Sequence, residues 1–307
     1  MSDLPQRRRA VILAFGAFAV AALAGGLTLA LVPGQKHAPV RRAPVVKARA
    51  AKKVSRRARA ATAARRLKRE ERAALVQMKR TGRSVYCGGR RGHFVALTFD
   101  DGPGPYTMLA LRILRHSGAR ATFFLVGKEL RYWPGVPAQE LQLGALGDHT
   151  WTHVVLPVLT SAEIVQQLRS TKLAIQEETH SRVELFRPPY GADDLRVERS
   201  ARSLGLVDVL WSIDSRDSEG ADWRQIAANV ERFVRPGSII LMHENRGQTI
   251  RALRRAILPF LHAHDLVPVT VPELLALDPP TPAQLAAGIN GCYPRGAPRP
   301  GRTRTGA

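Results

Sequence analysis

Two adjacent carboxylates, Asp100 and Asp101, end an apolar run over residues 94–99 and are followed at once by Gly102 and Pro103. Holding two acids at a strand end is costly unless a cation or a reaction uses them. The run alternates like a half-buried strand, whose successive side chains point to opposite faces. The two carboxylates therefore need not share a job: one can ligate a metal while the other handles protons. By itself such a doublet is most often a solvated turn. Further along, His149-Thr150-Trp151-Thr152-His153 places two imidazoles four residues apart. On a helical turn that spacing puts both on one face, within reach of one ion. The pair alone reads first as two incidental histidines at a surface turn. With an acid, however, it makes a facial triad that leaves positions open for water and substrate, as a catalytic hydrolytic metal requires.

Three more polar clusters follow in order: Phe186-Arg187-Pro188-Pro189-Tyr190-Gly191, Trp211-Ser212-Ile213-Asp214-Ser215-Arg216-Asp217 and Ile239-Ile240-Leu241-Met242-His243-Glu244. Each trails a short apolar run. Strands are expected near 94–99, 121–126, 145–148, 183–186, 207–212, 238–242 and 266–270, with helical periodicity over 105–117, 160–178, 222–234 and 247–263. Thr160 with Glu163 forms a capping-box signature at one helix start. Alternating strands and helices imply an α/β fold with a largely parallel sheet closed as a barrel. The five clusters then sit at the carboxyl ends of successive strands, where barrel enzymes assemble their sites from loops.

From about residue 93 to 275 the chain resembles the polysaccharide deacetylases, carbohydrate esterase family four, and it does so through these five motifs in order. The resemblance implies a distorted (β/α) barrel with fewer than eight units. It implies Asp100 as catalytic base and Asp101, His149 and His153 as ligands of a divalent metal, Zn2+ first, with Co2+, Ni2+ or Mn2+ as alternatives. It also implies Arg187 as the arginine that orients the base and Tyr190 as the residue whose backbone N–H helps bind the oxyanion. His243 becomes the general acid and Asp217 the acid that orients it, with Asp214 as the alternative. The chain departs from the family pattern at Ser218, where many members carry Trp, at Asp148, where Asn is more usual, and in a compressed segment between Lys128 and Gly147. These departures bear on substrate choice, because no catalytic group is lost.

The implied reaction is hydrolytic removal of acetyl groups from N-acetylated glycans, cleaving a carbon–nitrogen bond that is not a peptide bond, with cell-wall peptidoglycan first. Its steps suit the residues: a carboxylate to take a proton from water, electrostatic stabilisation of a tetrahedral oxyanion, and an imidazole to protonate an amine that leaves poorly otherwise. An O-acetyl-polysaccharide esterase and a catalytically inactive carbohydrate-binding protein are the alternatives. His116, His262 and the other histidines have no partner pattern and read as surface or structural.

Charge is segregated along the chain. Of the net +22, residues 1–96 carry 23 Lys and Arg against 3 acids, residues 97–278 carry 20 against 22, and the remainder adds 4 basic residues. A pI near 11.3 suggests nucleic acid at first sight. The slightly acidic character of the motif-bearing region and the lack of a recognisable binding motif argue against a specific nucleic-acid partner.

Residues 10–32 are uncharged and follow Arg7-Arg8-Arg9, long enough to span a bilayer. A retained transmembrane or signal-anchor helix over residues 1–32 is favoured on length. A cleaved signal peptide ending near Ala22-Leu23-Ala24, and hence a secreted protein, is the alternative. The catalytic region, 86–278, is expected outside the cell membrane. A positive-inside count opposes this, but long domains translocate largely regardless of charge. The Ala-, Arg- and Lys-rich segment 33–85 is expected to be a disordered linker, or at best a solvated helix around 56–80, that adheres to anionic wall polymers or lipids. The Pro- and Arg-rich extension 279–307 is expected to be flexible. Cys87 and Cys292 bracket the catalytic region, and in an extracytoplasmic setting a disulfide between them is expected.

Overall fold

The structure is a computed structural model and describes residues 43–293, with side chains from residue 58 onward. The expected membrane-spanning segment, residues 10–32, lies outside the described residues. Among those described, no helix is long and apolar enough to cross a membrane.

The strands are β1 (Phe94–Gly102), β2 (Ala121–Leu125), β3 (Gly144–Asp148), β4 (Leu185–Phe186), β5 (Val207–Asp208), β6 (Ile213–Asp214), β7 (Ile239–His243) and β8 (Val267–Val269). All named ladders are parallel, in the order β5-β4-β3-β2-β1-β7-β6, and β8 pairs with the start of β1. The helices are α1 (Ala43–Thr81), α2 (Thr107–Ser117), α3 (Val136–Leu143), α4 (Ser161–Thr179), α5 (Leu195–Ser203), α6 (Trp223–Glu231), α7 (Gly247–Ala252), α8 (Leu258–Ala263), α9 (Val271–Leu277), α10 (Pro282–Ala287) and α11 (Ile289–Cys292). A π-turn, Leu253–Ile257, joins α7 to α8. The capping box of Thr160 and Glu163 forms at the start of α4, and equivalent boxes open α6, α9 and α10.

Strand periodicity divides the core in two. Val95, Leu97 and Phe99 of β1 face one way and pack with apolar residues of α2, α4, α5, α6 and α8. Ala96 faces the other way, among Phe124, Leu185, Ile239 and Leu241, with α9 contributing Val271, Leu274 and Leu275. Thr98 and Asp100 share that second face by alternation and are buried there.

Closure departs from the expected continuous barrel. Of the run expected as one strand, 207–212, only Val207 and Asp208 form β5, which pairs with β4, whereas the next strand, β6, begins at Ile213 and pairs with β7. No ladder joins β5 to β6 among the described residues. The chain itself crosses from one sheet edge to the other, bonding to Val85 and Ile239 on the way. The carbonyls of Val209 and Leu210 then accept hydrogen bonds from the Arg187 guanidinium (2.9 and 3.1 Å), so a side chain fills the place of a neighbouring strand.

The segment expected as a disordered linker is a single 39-residue helix, α1, longer than the solvated helix expected around 56–80. Its Ala, Arg, Lys, Leu, Gln and Met content favours helix without tertiary help, and Pro44 sits in the first turn, where proline is tolerated. Leu75 and Met78 near its end are buried with Val85, Leu185 and Val207, and Lys79 pairs with Glu184 at 2.6 Å. The extension after residue 279 is also more structured than expected: α10 and α11 lead to a Cys87–Cys292 disulfide with Cα atoms 5.6 Å apart.

Candidate active site

Asp100 ends the inward face of β1, directly across the ladder from His243 of β7. A regular strand would turn Asp101 to the helix side. Instead Asp101 adopts a left-handed backbone (φ 67°), rare for a residue with a Cβ, and both carboxylates reach the same imidazole. His149 Nε2 lies 3.7 Å from Asp100 and 3.6 Å from Asp101 Oδ1, and His153 Nε2 lies 3.1 Å from that same oxygen. The expectation that alternation separates the two acids therefore holds for the strand and fails at its end.

The two histidines do not sit on a helical turn. Asp148 Oδ1 accepts the Thr150 N–H (2.8 Å), Thr150 Oγ1 accepts the His153 N–H (3.0 Å), and Thr150 and His153 are both left-handed. Such local side-chain bonds compete with helix and fold the segment into a tight loop instead. The rings still converge, with centroids 4.9 Å apart. His149 Nδ1 bonds to the Arg187 carbonyl at 2.8 Å. A carbonyl only accepts, so Nδ1 carries the proton and the Nε2 lone pair is left to face the carboxylates.

Asp101, His149 and His153 offer ligand atoms all within 4.8 Å of one another. Asp101 Oδ1 is buried without a hydrogen-bond donor. An orphaned carboxylate oxygen between two imidazole nitrogens fits a divalent cation, and one acid with two histidines is a donor set such ions accept. Burial pushes the Asp101 carboxyl up, but the contact with His153 and the nearby His149 and His243 outweigh it and hold the group well below the usual carboxylate range.

Arg187 is fully buried. Its guanidinium bonds to Asp100 Oδ1 and Thr98 Oγ1, both at 2.8 Å, as well as to the two crossover carbonyls, and stacks on Phe124 at 4.2 Å. Burial lowers its pKa and Asp100 opposes that. An arginine so placed keeps its charge and holds Asp100 in one orientation.

His243 is fixed by Asp217, which accepts from its Nδ1 and its backbone N–H, both at 2.7 Å, and from Thr249 Oγ1. Burial pulls the imidazole down, but the hydrogen bond and charge of Asp217, helped by Asp100 and Asp101, raise it to about 9. Asp214 instead accepts the backbone N–H of Arg216 at 2.8 Å and makes no hydrogen bond to His243 among the described residues. Next to His243, burial pushes Glu244 up to about 8 and holds its buried neighbour Glu140 high as well.

Tyr190 stands in a left-handed turn after the prolines, its ring exposed and edge-on to His153 at 4.8 Å. All eight residues singled out by the motifs thus surround one cleft end of the sheet. Three partners carry no sequence signal: Thr98 reads as an ordinary strand residue, Thr249 as part of a helix start, and Asn245 as a loop residue 3.4 Å from Asp101. Ser218, at the position of the family's Trp, is exposed, and burial raises the carboxyl of Asp148 well above its ordinary range.

Residues 88–209 match the family model described as polysaccharide deacetylase. A peptidoglycan-N-acetylglucosamine deacetylase of Bacillus cereus is 35% identical over 188 residues, covering 59% of this chain and 87% of that protein. The chain belongs to the polysaccharide deacetylase family. A bifunctional xylanase/xylan deacetylase of Cellvibrio japonicus is 31% identical over 59% of this chain, which spans only 27% of that longer protein. A crystal structure of a peptidoglycan N-acetylglucosamine deacetylase superposes with a TM-score of 0.60 at 29% identity, covering 62% of this chain and 92% of the other. The shared sheet and the buried arginine–aspartate pair are thus set in a fold common to these proteins.

Proposed function

We propose that the chain is a metal-dependent hydrolase that removes acetyl groups from N-acetylated glycans, with peptidoglycan N-acetylglucosamine-type residues as the leading substrate. The observation that carries this reading is the convergence of the Asp101, His149 and His153 donor set with Asp100 and His243, each held by a buried partner.

A divalent ion, Zn2+ first, held by Asp101, His149 and His153 would polarise the acetyl carbonyl and activate water. Asp100, aimed by the Arg187 guanidinium, takes a proton from the attacking water. The turn at Tyr190 supplies a backbone N–H to the developing oxyanion. His243 delivers a proton to the departing nitrogen, and Asp217 supports the imidazolium until it does so. A histidine whose imidazolium is supported by Asp217 suits expulsion of an amine, which must be protonated to leave. Among the relatives, one is a xylan deacetylase and another a peptidoglycan-N-acetylglucosamine deacetylase.

The Cys87–Cys292 bridge supports an oxidising, extracytoplasmic setting. The uncharged run at 10–32 supports a single-pass anchor. On α1, Arg59, Arg65, Arg66, Arg69 and Arg72 are exposed, which supports adhesion to anionic wall polymers or lipids. Acetate release from peptidoglycan, chitooligosaccharides and acetylxylan, each with and without chelator, tests the reading. Chelator-sensitive release from the N-acetylated substrates is expected; release from acetylxylan alone would move the activity to O-esters, and chelator-resistant release would remove the metal.

A further inference from the structure

Away from the catalytic end of the sheet lies a groove of about 860 Å³ between the end of α2, the π-turn and α8, and the start of β8. Val267, on its wall, pairs with Phe94, six residues before Asp100 on β1. At roughly 3.3 Å per strand residue its β8 wall is about 20 Å from Asp100, and none of the candidate catalytic residues lines it.

Its chemistry is two-sided. Leu258 and Leu266 form a buried floor, and Leu109, Ile113 and Val267 line the walls, Leu109 and Val267 standing exposed as large apolar side chains. On the two helices the pattern repeats at helical spacing: Leu109, Arg112, Ile113 and His116 on α2, and Arg254, Leu258 and His262 across the π-turn and α8. Every ionisable residue lining the groove is therefore an arginine or a histidine, and no carboxylate lines it. Of the acids nearby, Asp265 belongs to the loop before β8 and does not line the groove, while Glu273 is paired with Arg120 at 2.8 Å.

The geometry points to a binding site for a single-chain anionic amphiphile, its alkyl chain along the apolar floor and its carboxylate or phosphate head against Arg112 and Arg254. The volume suits one small ligand, and an apolar lining with few convergent charged groups is the usual make-up of such a site. Charge complementarity selects the head. A cationic amphiphile would meet two arginines with no acid to offset them, and a head without a chain would forgo the apolar burial.

The test titrates the full chain with dodecyl phosphate below its micellar concentration, following heat and hydrogen exchange. Dodecyltrimethylammonium, dodecanol and inorganic phosphate serve as comparisons. Saturable binding of one dodecyl phosphate is expected, with exchange protection confined to residues 109–118 and 258–267. The double variant Arg112→Glu/Arg254→Glu and, separately, Leu109→Asp should each weaken binding at least about tenfold. Arg112 and Arg254 are exposed and belong to no catalytic contact, so acetate release from a small soluble substrate by the double variant should stay unchanged. That readout separates failure here from failure of the catalytic reading. Equal affinity for the ammonium amphiphile, unchanged affinity in both variants, or protection elsewhere on the chain would overturn the proposal. Binding to phosphatidylglycerol vesicles but not to the monomeric probe would overturn it too, in favour of adsorption to a bilayer.

Discussion

Asp100, His149 and His243 are each held from behind by a specific partner, so single substitutions should separate binding from chemistry. Asp101→Ala, His149→Ala and His153→Ala should each lose bound metal and activity together, because two remaining protein ligands retain an ion poorly. Elemental analysis of the purified variants decides this, and full occupancy in any one of them removes that residue from the ligand set. Asp100→Asn should keep the metal yet lose about 10²–10⁴-fold in turnover, the usual worth of a general base. Metal loss in that variant would instead place Asp100 among the ligands. The pH profile reports on His243. Its protonated form is the working acid, and its folded pKa is raised to about 9 from the ordinary 6.5. The acid form is therefore complete below about 6.5 and lost as pH rises through about 9, giving the alkaline limb of the rate profile. Part of the shift comes from Asp100 and Asp101, and a bound cation opposes that part, so in the loaded enzyme the limb falls below 9. Asp217→Asn removes the largest upward pull and should move the limb further down by an amount measurable in kcat against pH. An unmoved limb would mean that another group sets it.

At the scale of elements, α1 joins an exposed basic stretch to a buried end, where the charge pattern alone suggests one spacer. Its exposed stretch from residue 58 is rich in arginine, whereas Leu75 and Met78 are buried against β4 and β5. Removing residues 1–57 should leave thermal stability and turnover on a small acetylated oligosaccharide unchanged while lowering retention on intact walls. That retention should fall with salt in the full chain, since exposed charges act over only about 8 Å at physiological ionic strength. Extending the deletion through Thr81 also removes the buried Leu75 and Met78, each worth about 1.5–3 kcal/mol, and should lower the melting temperature clearly. Equal stability in the two truncations would show that the helix only leans on the sheet. Equal wall retention with and without residues 1–57 would deny that region a binding role.

Across the whole molecule, the Cys87–Cys292 bridge closes a loop of 205 residues around the catalytic region. A paired Cys87→Ser/Cys292→Ser variant should lose about 2–5 kcal/mol of unfolding free energy, the typical effect of removing such a link. Neither cysteine contacts the cleft, so turnover well below the melting temperature should persist. Denaturant titration with an activity assay on the same sample tests both parts. Loss of activity without loss of stability would tie the C-terminal helices to the site by a route other than folding.

Residue order marked the candidate groups: an acid doublet after a strand, two histidines four apart, an arginine before paired prolines, and a histidine closing a strand, to which the family resemblance attached roles. Period-two alternation also placed Val95, Leu97 and Phe99 opposite Thr98 and Asp100. Tertiary structure alone decided how those roles meet. The left-handed turns at Asp101, Thr150, His153 and Tyr190 have no propensity signal, because these residues disfavour that conformation and adopt it where packing and local hydrogen bonds over-determine them. The open ladder between β5 and β6 and its filling by Arg187 were equally hidden, since a run of apolar residues does not say which strand it will pair with. Helix α1 shows the converse case. Its propensity was written in Ala, Arg and Lys, but composition read as disorder because little apolar surface is there to bury. Only the contact of Leu75 and Met78 with residues more than a hundred positions away, such as Leu185 and Val207, makes its end part of the core. Local pattern sets what each residue can do, and long-range packing selects the one arrangement in which it does so.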